Sequence, residues 1–477
     1  MAMPKQQCSK TSFTAMAKLV TLATVMVSLT ACAINPGNPI SAVQADIAAI
    51  NPTPLQRIDS DEQQQQIQQR VQQLLLTPLT LDTAVEITVL NSKTLQAELF
   101  ALGVSATQLQ QASQLPNPAI MLTRSVSDGD YATELEFGFN ILALLTLPKI
   151  RQLATNRFEQ ARLATAQRIA SMIADTRHAY WNAVAAQEVL RYIEQVHTTT
   201  AAGAELATRM LQAGNFNKLD YLREQSLLTD ATLNLVKARQ AAYSSKETLQ
   251  SQLGLWQQSE QLILPERLPD MPTQIAQWQS VAQDGLDQRL DVRLATLQLA
   301  FIANSAGLTK ATRFINAFEL EVGGNLQDRS ERSYKAVLEL PLFDWGSYRV
   351  KKAEYQYKQA FNHAFATGIS ARSALRQSYY QYSAMHEIAQ HYKNAMLPIQ
   401  QQIAEENQLR YNGMFISVFE LIADARNQIN AVTGYVNANR DFWLAKSQLD
   451  LVMIGVPVTI NSSTELPSVS SAAGAEH

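Results

Sequence analysis

The stretch Ala213-Gly214-Asn215-Phe216-Asn217-Lys218-Leu219-Asp220-Tyr221-Leu222 has a counterpart 199 residues on, Asn412-Gly413-Met414-Phe415-Ile416-Ser417-Val418-Phe419-Glu420-Leu421. At that spacing Gly214 matches Gly413, Phe216 matches Phe415 and Leu222 matches Leu421. Upstream, Arg177 and Arg376, Tyr180 and Tyr379, and Glu188 and Glu387 keep the same offset. Chance rarely holds one register over such a distance, so the chain is an internal duplication of a large unit, not a solenoid of small ones. In each copy the glycine interrupts a run of high helix propensity. Lys149 to Leu264 contains no proline, and the break at Ala213-Gly214-Asn215 separates helical arms of about 63 and 40 residues, roughly 95 and 60 Å at 1.5 Å per residue. Helices of that length imply a coiled coil.

Working outward, each long helical region is preceded by a shorter helix and two alternating stretches. In the first copy Asp82 is placed to cap a helix whose Leu95, Leu99, Leu102 and Leu109 recur at helical spacing up to Leu115-Pro116-Asn117-Pro118. Strands from Ala119 to Ser125 and from Thr133 to Asn140 follow, with Ser127-Asp128-Gly129-Asp130 as the turn. In the second copy a helix from about Asp284 to Ala311 leads to strands from Ile315 to Gly323 and from Ser333 to Leu340, then to helix from Ser347 to Ile454. Alternation gives every strand one apolar and one polar face. Leu135, Phe137, Phe139, Phe318, Leu320, Val322, Tyr334, Ala336, Leu338 and Leu340 point one way, and Glu134, Glu136, Asn140, Glu319, Glu321 and Asn325 the other. Phe343, Trp345 and Tyr348, just beyond the last strand, have the composition of an interfacial aromatic belt.

Four such strands cannot close a barrel, and an open edge in a bilayer leaves backbone groups unpaired. Two copies give eight strands, whose interior side chains fill, and three give twelve, which leave a wet lumen suited to the glutamates and asparagines of the polar face. The beginning of the chain fits an exported protein. Lys5, Lys10 and Lys18 precede the apolar run Leu19 to Ala31, too short to span a bilayer, and Leu29-Thr30-Ala31-Cys32 has the form of a bacterial lipobox with Cys32 as lipid acceptor. Cleavage before Cys32 removes 31 residues, Cys8 and three lysines. It leaves 446 residues, one cysteine and no internal disulfide, and moves the net charge from −3 to −6. That charge offers no bulk attraction for nucleic acid.

Together these features resemble the TolC-like outer-membrane efflux proteins, in particular their lipid-anchored members. Leu338-Glu339-Leu340-Pro341-Leu342-Phe343-Asp344-Trp345-Gly346 is similar to that family's strand-to-helix junction, and the Gly214 and Gly413 breaks to its helical hairpin tips. Leu115-Pro116-Asn117-Pro118 and Arg289-Leu290-Asp291-Val292-Arg293 resemble the entries to its two halves. The resemblance implies an α+β membrane protein, internally duplicated, with four long coiled-coil helices plus shorter ones and four strands per protomer. Three protomers would build a 12-stranded barrel and an α-helical periplasmic tunnel. It further implies a homotrimer in outer-membrane lipid that docks a periplasmic adaptor protein and an inner-membrane pump, and conducts passively.

On this reading residues 1–31 are the lipoprotein signal, 32–80 an extended leader with one short helix, 81–264 the first repeat, 265–283 a linker, 284–456 the second repeat and 457–477 a disordered tail. Gly214, Leu219, Leu222, Gly413, Val418 and Leu421 become the tip and adaptor-docking residues. Asp220, Glu420 and Asp424 become the charges of the tunnel mouth. Two departures stand out. The first-copy junction, Ile141 to Pro148, lacks Asp-x-x-Gly, and the positions six and nine after Gly413, often acidic in the family, are Phe419 and Ile422.

No Ser/His/Asp order, phosphate loop, Cys pair or His-Glu-x-x-His motif is present, so neither an enzyme nor a cofactor is expected beyond the lipid on Cys32. His386 and His391 are five apart, off a common helical face, and no metal site is expected. Three functions compete: a duct for small molecules such as drugs, toxic compounds or metal ions, an exit duct for secreted polypeptide, and a lipid-anchored coiled-coil scaffold without a pore. The amphipathic hairpins argue against the scaffold.

Overall fold

The computed structural model describes residues 37–127, 130–255, 262–278, 289–315, 317–326, 332–339, 343 and 345–456. The signal, Cys32, the tail, Leu340 to Leu342 and Asp344 lie outside the described residues. The leader is neither extended nor limited to one helix. Helix α1 (Pro39–Asp46) is capped by the Asn38 side chain, and α2 (Asp61–Leu75) by Ser60. Proline and glutamine disguise two short apolar stripes, Val43 with Ile47 and Ile67 with Val71, Leu74 and Leu75, and all six side chains are buried. The Gln run becomes the solvent side of α2.

The first repeat also starts differently from the expectation. Thr80 caps α3 (Leu81–Asn91), with Asp82 only in its first turn. The helix then breaks at Ser92, which ends α3 and caps α4 (Lys93–Ser113) by accepting from the Leu95 amide at 3.3 Å. Strands β1 (Ala119–Ser127) and β2 (Asp130–Asn140) follow. Helix α5 (Ile141–Gln212) starts directly at the strand end, capped by Asn140 accepting from Ala143 N at 2.8 Å, and keeps Pro148 inside it. The proline removes one donor in the third turn without ending the helix. At 72 residues α5 is about 108 Å long. It is the spine against which α1, α3, α4 and α6 (Lys218–Gln252) pack.

The second repeat contributes α7 (Leu290–Ala311), β3 (Ala317–Asn325), β4 (Arg332–Glu339), α8 (Ser347–His391), α9 (Leu397–Asn412) and α10 (Val418–Ile454). Strand β3 runs from Ala317 through Asn325, two residues past the end at Gly323 read from the sequence. The two hairpins join into one antiparallel sheet, β1-β2-β3-β4, so its central pairing is between repeats. Residues 262–278, read as a linker from 265 on, form a strap bound by its backbone. Leu268 N donates to Glu188 at 3.1 Å, the Pro269 carbonyl accepts from Asn439 and Trp443, and the Ala276 carbonyl accepts from Tyr379. Leu268 and Met271 enter the core there, where Trp181 stacks on Trp443 at 5.1 Å and links the repeats.

Between α8 and α9 a π-helical turn, Tyr392–Met396, interrupts the α-helical hydrogen bonding. Pro398 explains its place, because its ring conflicts with the carbonyl four residues back, and a wide turn relieves this. A π turn absorbs one extra residue, and the register of the duplication records it. Before the turn, Tyr180 and Tyr379 are 199 apart, and each hydroxyl bonds a backbone carbonyl upstream of its own repeat's first helix, Leu79 and Ala276. After it, equivalent positions are 200 apart: Asn217 and Ser417 cap α6 and α10, and Leu249 and Leu449 are both buried. The gap-free offset of 199 read from the sequence is therefore wrong beyond the π turn.

His178 on α5 lies largely buried. Loss of hydration lowers its pKa below the usual 6.5, outweighing the neighbouring Asp175, which raises it, while Arg177 adds to the lowering. The folded state therefore holds this imidazole neutral, and its contribution is complete above pH 6.5 and lost as pH falls from there through the folded pKa. The His178→Phe variant is expected to show a shallower loss of thermal stability between pH 7 and 5 than the parent; parallel curves would exclude His178 as a source of acid sensitivity.

Candidate functional site

The two ends of the molecule carry the side chains that the sequence singles out. At the helical end, the α5/α6 and α9/α10 hairpins turn in the same way one register apart. Gly214 N and Asn215 N donate to Leu211 O and Met210 O at 3.0 and 2.9 Å, and Met414 N and Phe415 N donate to Tyr411 O and Arg410 O, both at 2.9 Å. The left-handed residue is Gly214 in the first turn (φ +75°) and Met414 (φ +61°) in the second, not Gly413 (φ −80°). Gly413 instead lies beneath the Phe415 ring, where a Cβ would sit 2.8 Å from ring carbons.

The shifted register changes the assignment of the acidic positions. Met414 is the true counterpart of Gly214, and the residue six beyond it is Glu420, the equivalent of Asp220. Both carboxylates stand in the first turn of their helices, and the amides of these residues are bound by the caps Asn217 (2.8 Å) and Ser417 (3.2 Å). The absence of an acid six residues past the second tip is thus corrected, although the ninth position, Ala423, is not acidic. Asp220 also pairs with Arg223 at 3.0 Å, and Asp424 accepts from Asn407 across the hairpin. Glu224, unmarked in the sequence reading, matches Asp424. Burial raises its pKa, against Arg426 from α10, which lowers it, while Asp220 adds to the rise.

The four apolar tip residues do not form one stripe. Leu219 and Leu222 are more than half exposed, whereas Val418 and Leu421 are half-buried. The true counterparts of the first pair are Phe419, stacked on Phe216 at 5.0 Å, and Ile422, which packs against Gly203. Met414 and Phe415, 93% and 80% exposed, are the strongest apolar projections at the tip, and the sequence reading did not mark them as docking residues. Leu219, Leu222, Leu233, Val236 and Tyr243 are exposed at the spacing of a coiled-coil seam along α6.

At the other end, the register assembles the polar set on one face. Glu134 lies opposite Asn325, Glu136 opposite Gly323, Gly138 opposite Glu321 and Asn140 opposite Glu319. Lys335, opposite Glu321 on β4, shares this face and pairs with it at 2.8 Å; its alternation in β4 was the available signal. The reverse face carries Ile120, Leu122, Leu135, Phe137, Phe139, Leu320, Val322, Tyr334 and Leu338, and most are exposed. Phe343, Trp345 and Tyr348 are largely exposed beyond the helix-proximal end of the sheet. Among the described residues, no group of three His, Cys, Asp or Glu is arranged to hold a metal ion, and no helix is long and apolar enough to cross a membrane.

Residues 84–255 match the family described as Outer membrane efflux protein. A search of curated protein sequences gave no match. Among solved structures, the chain is similar in fold to the outer membrane protein VceC from Vibrio cholerae (TM-score 0.65, 15% identity, 79% of this chain and 97% of that one). It is also similar to the CmeC outer membrane channel of Campylobacter jejuni (TM-score 0.62, 17% identity, 79% and 86%) and to the open state of the MtrE outer membrane channel of Neisseria gonorrhoeae (TM-score 0.63, 15% identity, 79% and 89%).

Proposed function

We propose that this chain, a TolC-like member of the outer membrane efflux protein family, is the outer-membrane duct of a tripartite efflux system and works as a homotrimer. The observation that carries the reading is the sheet: four strands, one face apolar and exposed, the other acidic, with β1 and β4 as open edges. Three copies joined edge to edge give twelve strands, remove the edges and enclose the glutamates in a wet lumen. The exposed seam along α6 supplies the matching contact between subunits in the helical tunnel. Energy comes from an inner-membrane pump, and the protein conducts passively.

Cys32 is the lipid attachment point in this scheme. Asn38 is six residues away, at most about 20 Å of extended chain. Met414, Phe415, Leu219 and Leu222 meet the periplasmic adaptor, and Asp220, Glu224, Glu420 and Asp424 charge the tunnel mouth. The exposed apolar tips favour an adaptor-coupled duct over a poreless scaffold.

Reconstitution of the mature protein in a planar bilayer, with its mass measured in detergent, tests the reading. A trimer with discrete conductance steps is expected, and a monomer or dimer that never conducts would overturn it. In the same assay the Glu420→Ala/Asp424→Ala variant should remain trimeric but change its conductance or its block by divalent cations. Unchanged currents would remove these two residues from the mouth.

A further inference from the structure

The apolar face of the sheet carries only two charged side chains among the described residues, and both are arginines at the hairpin-turn end. Arg124 lies opposite Thr133, and Arg332 opposite Gly324, one level nearer the helices. Both are exposed, and among the described residues no carboxylate shares their face: Glu134, Glu136, Glu319 and Glu321 all alternate to the polar side. The Arg124 guanidinium lies 4.7 Å from the centre of the Tyr131 ring, which fixes its position, and the exposed Tyr334 stands two residues from Arg332 on the same face. A lipid-facing position near the turns tolerates a cation, whereas one at mid-bilayer does not.

Arg124 is on the edge strand β1 and Arg332 on the opposite edge strand β4. Closure by three copies, the reading on which this inference rests, puts β4 of one protomer beside β1 of the next. Arg332 then shares a seam with Arg124 of the partner subunit. Two guanidinium groups on neighbouring strands repel unless an anion lies between them, and a phosphate accepts paired hydrogen bonds from both planar forks. We propose that each seam between subunits binds the phosphate of an anionic lipid headgroup in the leaflet at the hairpin-turn end, giving three equivalent sites per barrel. Tyr131 and Tyr334 flank the headgroup, and Leu122, Val322 and Ala336 below lie against its acyl chains.

The test uses the full mature trimer in detergent and measures binding by native mass spectrometry. The probes are a diphosphorylated glycolipid, the same lipid with its phosphates removed, and inorganic phosphate. Wild type should bind the phosphorylated lipid at least tenfold more tightly than the Arg124→Gln/Arg332→Gln variant does, with equal binding of the dephosphorylated lipid. The Arg124→Lys/Arg332→Lys variant, which keeps charge without the fork, should fall between. Equal binding of the phosphorylated lipid by wild type and the Gln variant would overturn the site. Displacement by inorganic phosphate at the concentration of the lipid would overturn its lipid character. Bilayer currents from the same samples separate the two proposals: a conducting trimer without lipid discrimination sinks the lipid site alone, and loss of both trimer and conductance in wild type sinks the duct and the seam with it.

Discussion

Replacing Asp46 by Ala is expected to cost about 3 kcal/mol of unfolding free energy. Asp46 ends α1 and is 9% exposed. Its carboxylate lies between Arg162 on α5, from the first repeat, and Arg293 on α7, from the second, at 2.9 Å from Arg293 Nη1. Removing it leaves two cations without their shared partner, and Arg162 is itself only 12% exposed. The figure falls at the lower end of the range for broken buried pairs because Glu159 still holds Arg162 at 2.9 Å. Denaturant unfolding gives the energy, and limited proteolysis locates it: residues 37–60 should become the first segment cut. The exposed pair Arg57 and Asp59 is the control, and Asp59→Ala should cost less than about 1 kcal/mol. Equal effects at the two sites would show that Asp46 does not clamp the repeats.

The Gly455→Ala variant should lose a similar amount, for a different reason. Gly455 ends α10 at φ +83°, with its amide donating to Val452 O and the next amide to Leu451 O. A left-handed backbone costs an ordinary residue about 1–2 kcal/mol. The new Cβ would also stand 2.7 Å from Leu290 N and 2.6 Å from Asp291 Oδ1, where α7 begins. Those atoms belong to backbone and to the buried Arg289–Asp291 pair, which cannot give way freely, so a further 1–3 kcal/mol of overpacking follows. The Gly214→Ala variant provides the contrast. Its φ is +75° but nothing lies within 4 Å of the added carbon, so only the backbone cost applies. Should both variants unfold at the same denaturant concentration, the steric half of the argument is wrong.

The duplication, the long helices, the position of the tips and the two faces of each strand were legible in the sequence. Each depends on an interaction within a few residues. Alternation in β2 and β3 decides which side chains share a face, and Glu134, Asn140, Glu319 and Asn325 do share one, although alternation does not choose their partners across the strands. Runs rich in Ala, Gln and Leu make helix wherever they lie, and a glycine between two of them marks a turn.

The same uniformity hid the rest. In a sequence with high helix propensity throughout, one inserted residue leaves no trace in the apolar pattern, because every register is equally helical, and Pro398 marks only where the π turn falls. The identities at 199, Gly214 with Gly413 and Phe216 with Phe415, therefore misled. Only tertiary contact chose 200: Phe216 needs Phe419 as its stacking partner, and Ile422 needs the bare face at Gly203. The leader escaped for a related reason, since Val43 and Ile47 form a stripe too short to signal a helix until α5 and α7 supply the surface they cover. The sequence by itself determined what each segment is, through propensity and alternation. Which segments meet, and in which register, was decided by burial and ion pairing between residues far apart in the chain, as at Asp46 with Arg162 and Arg293, because those energies exist only once the chain has closed on itself.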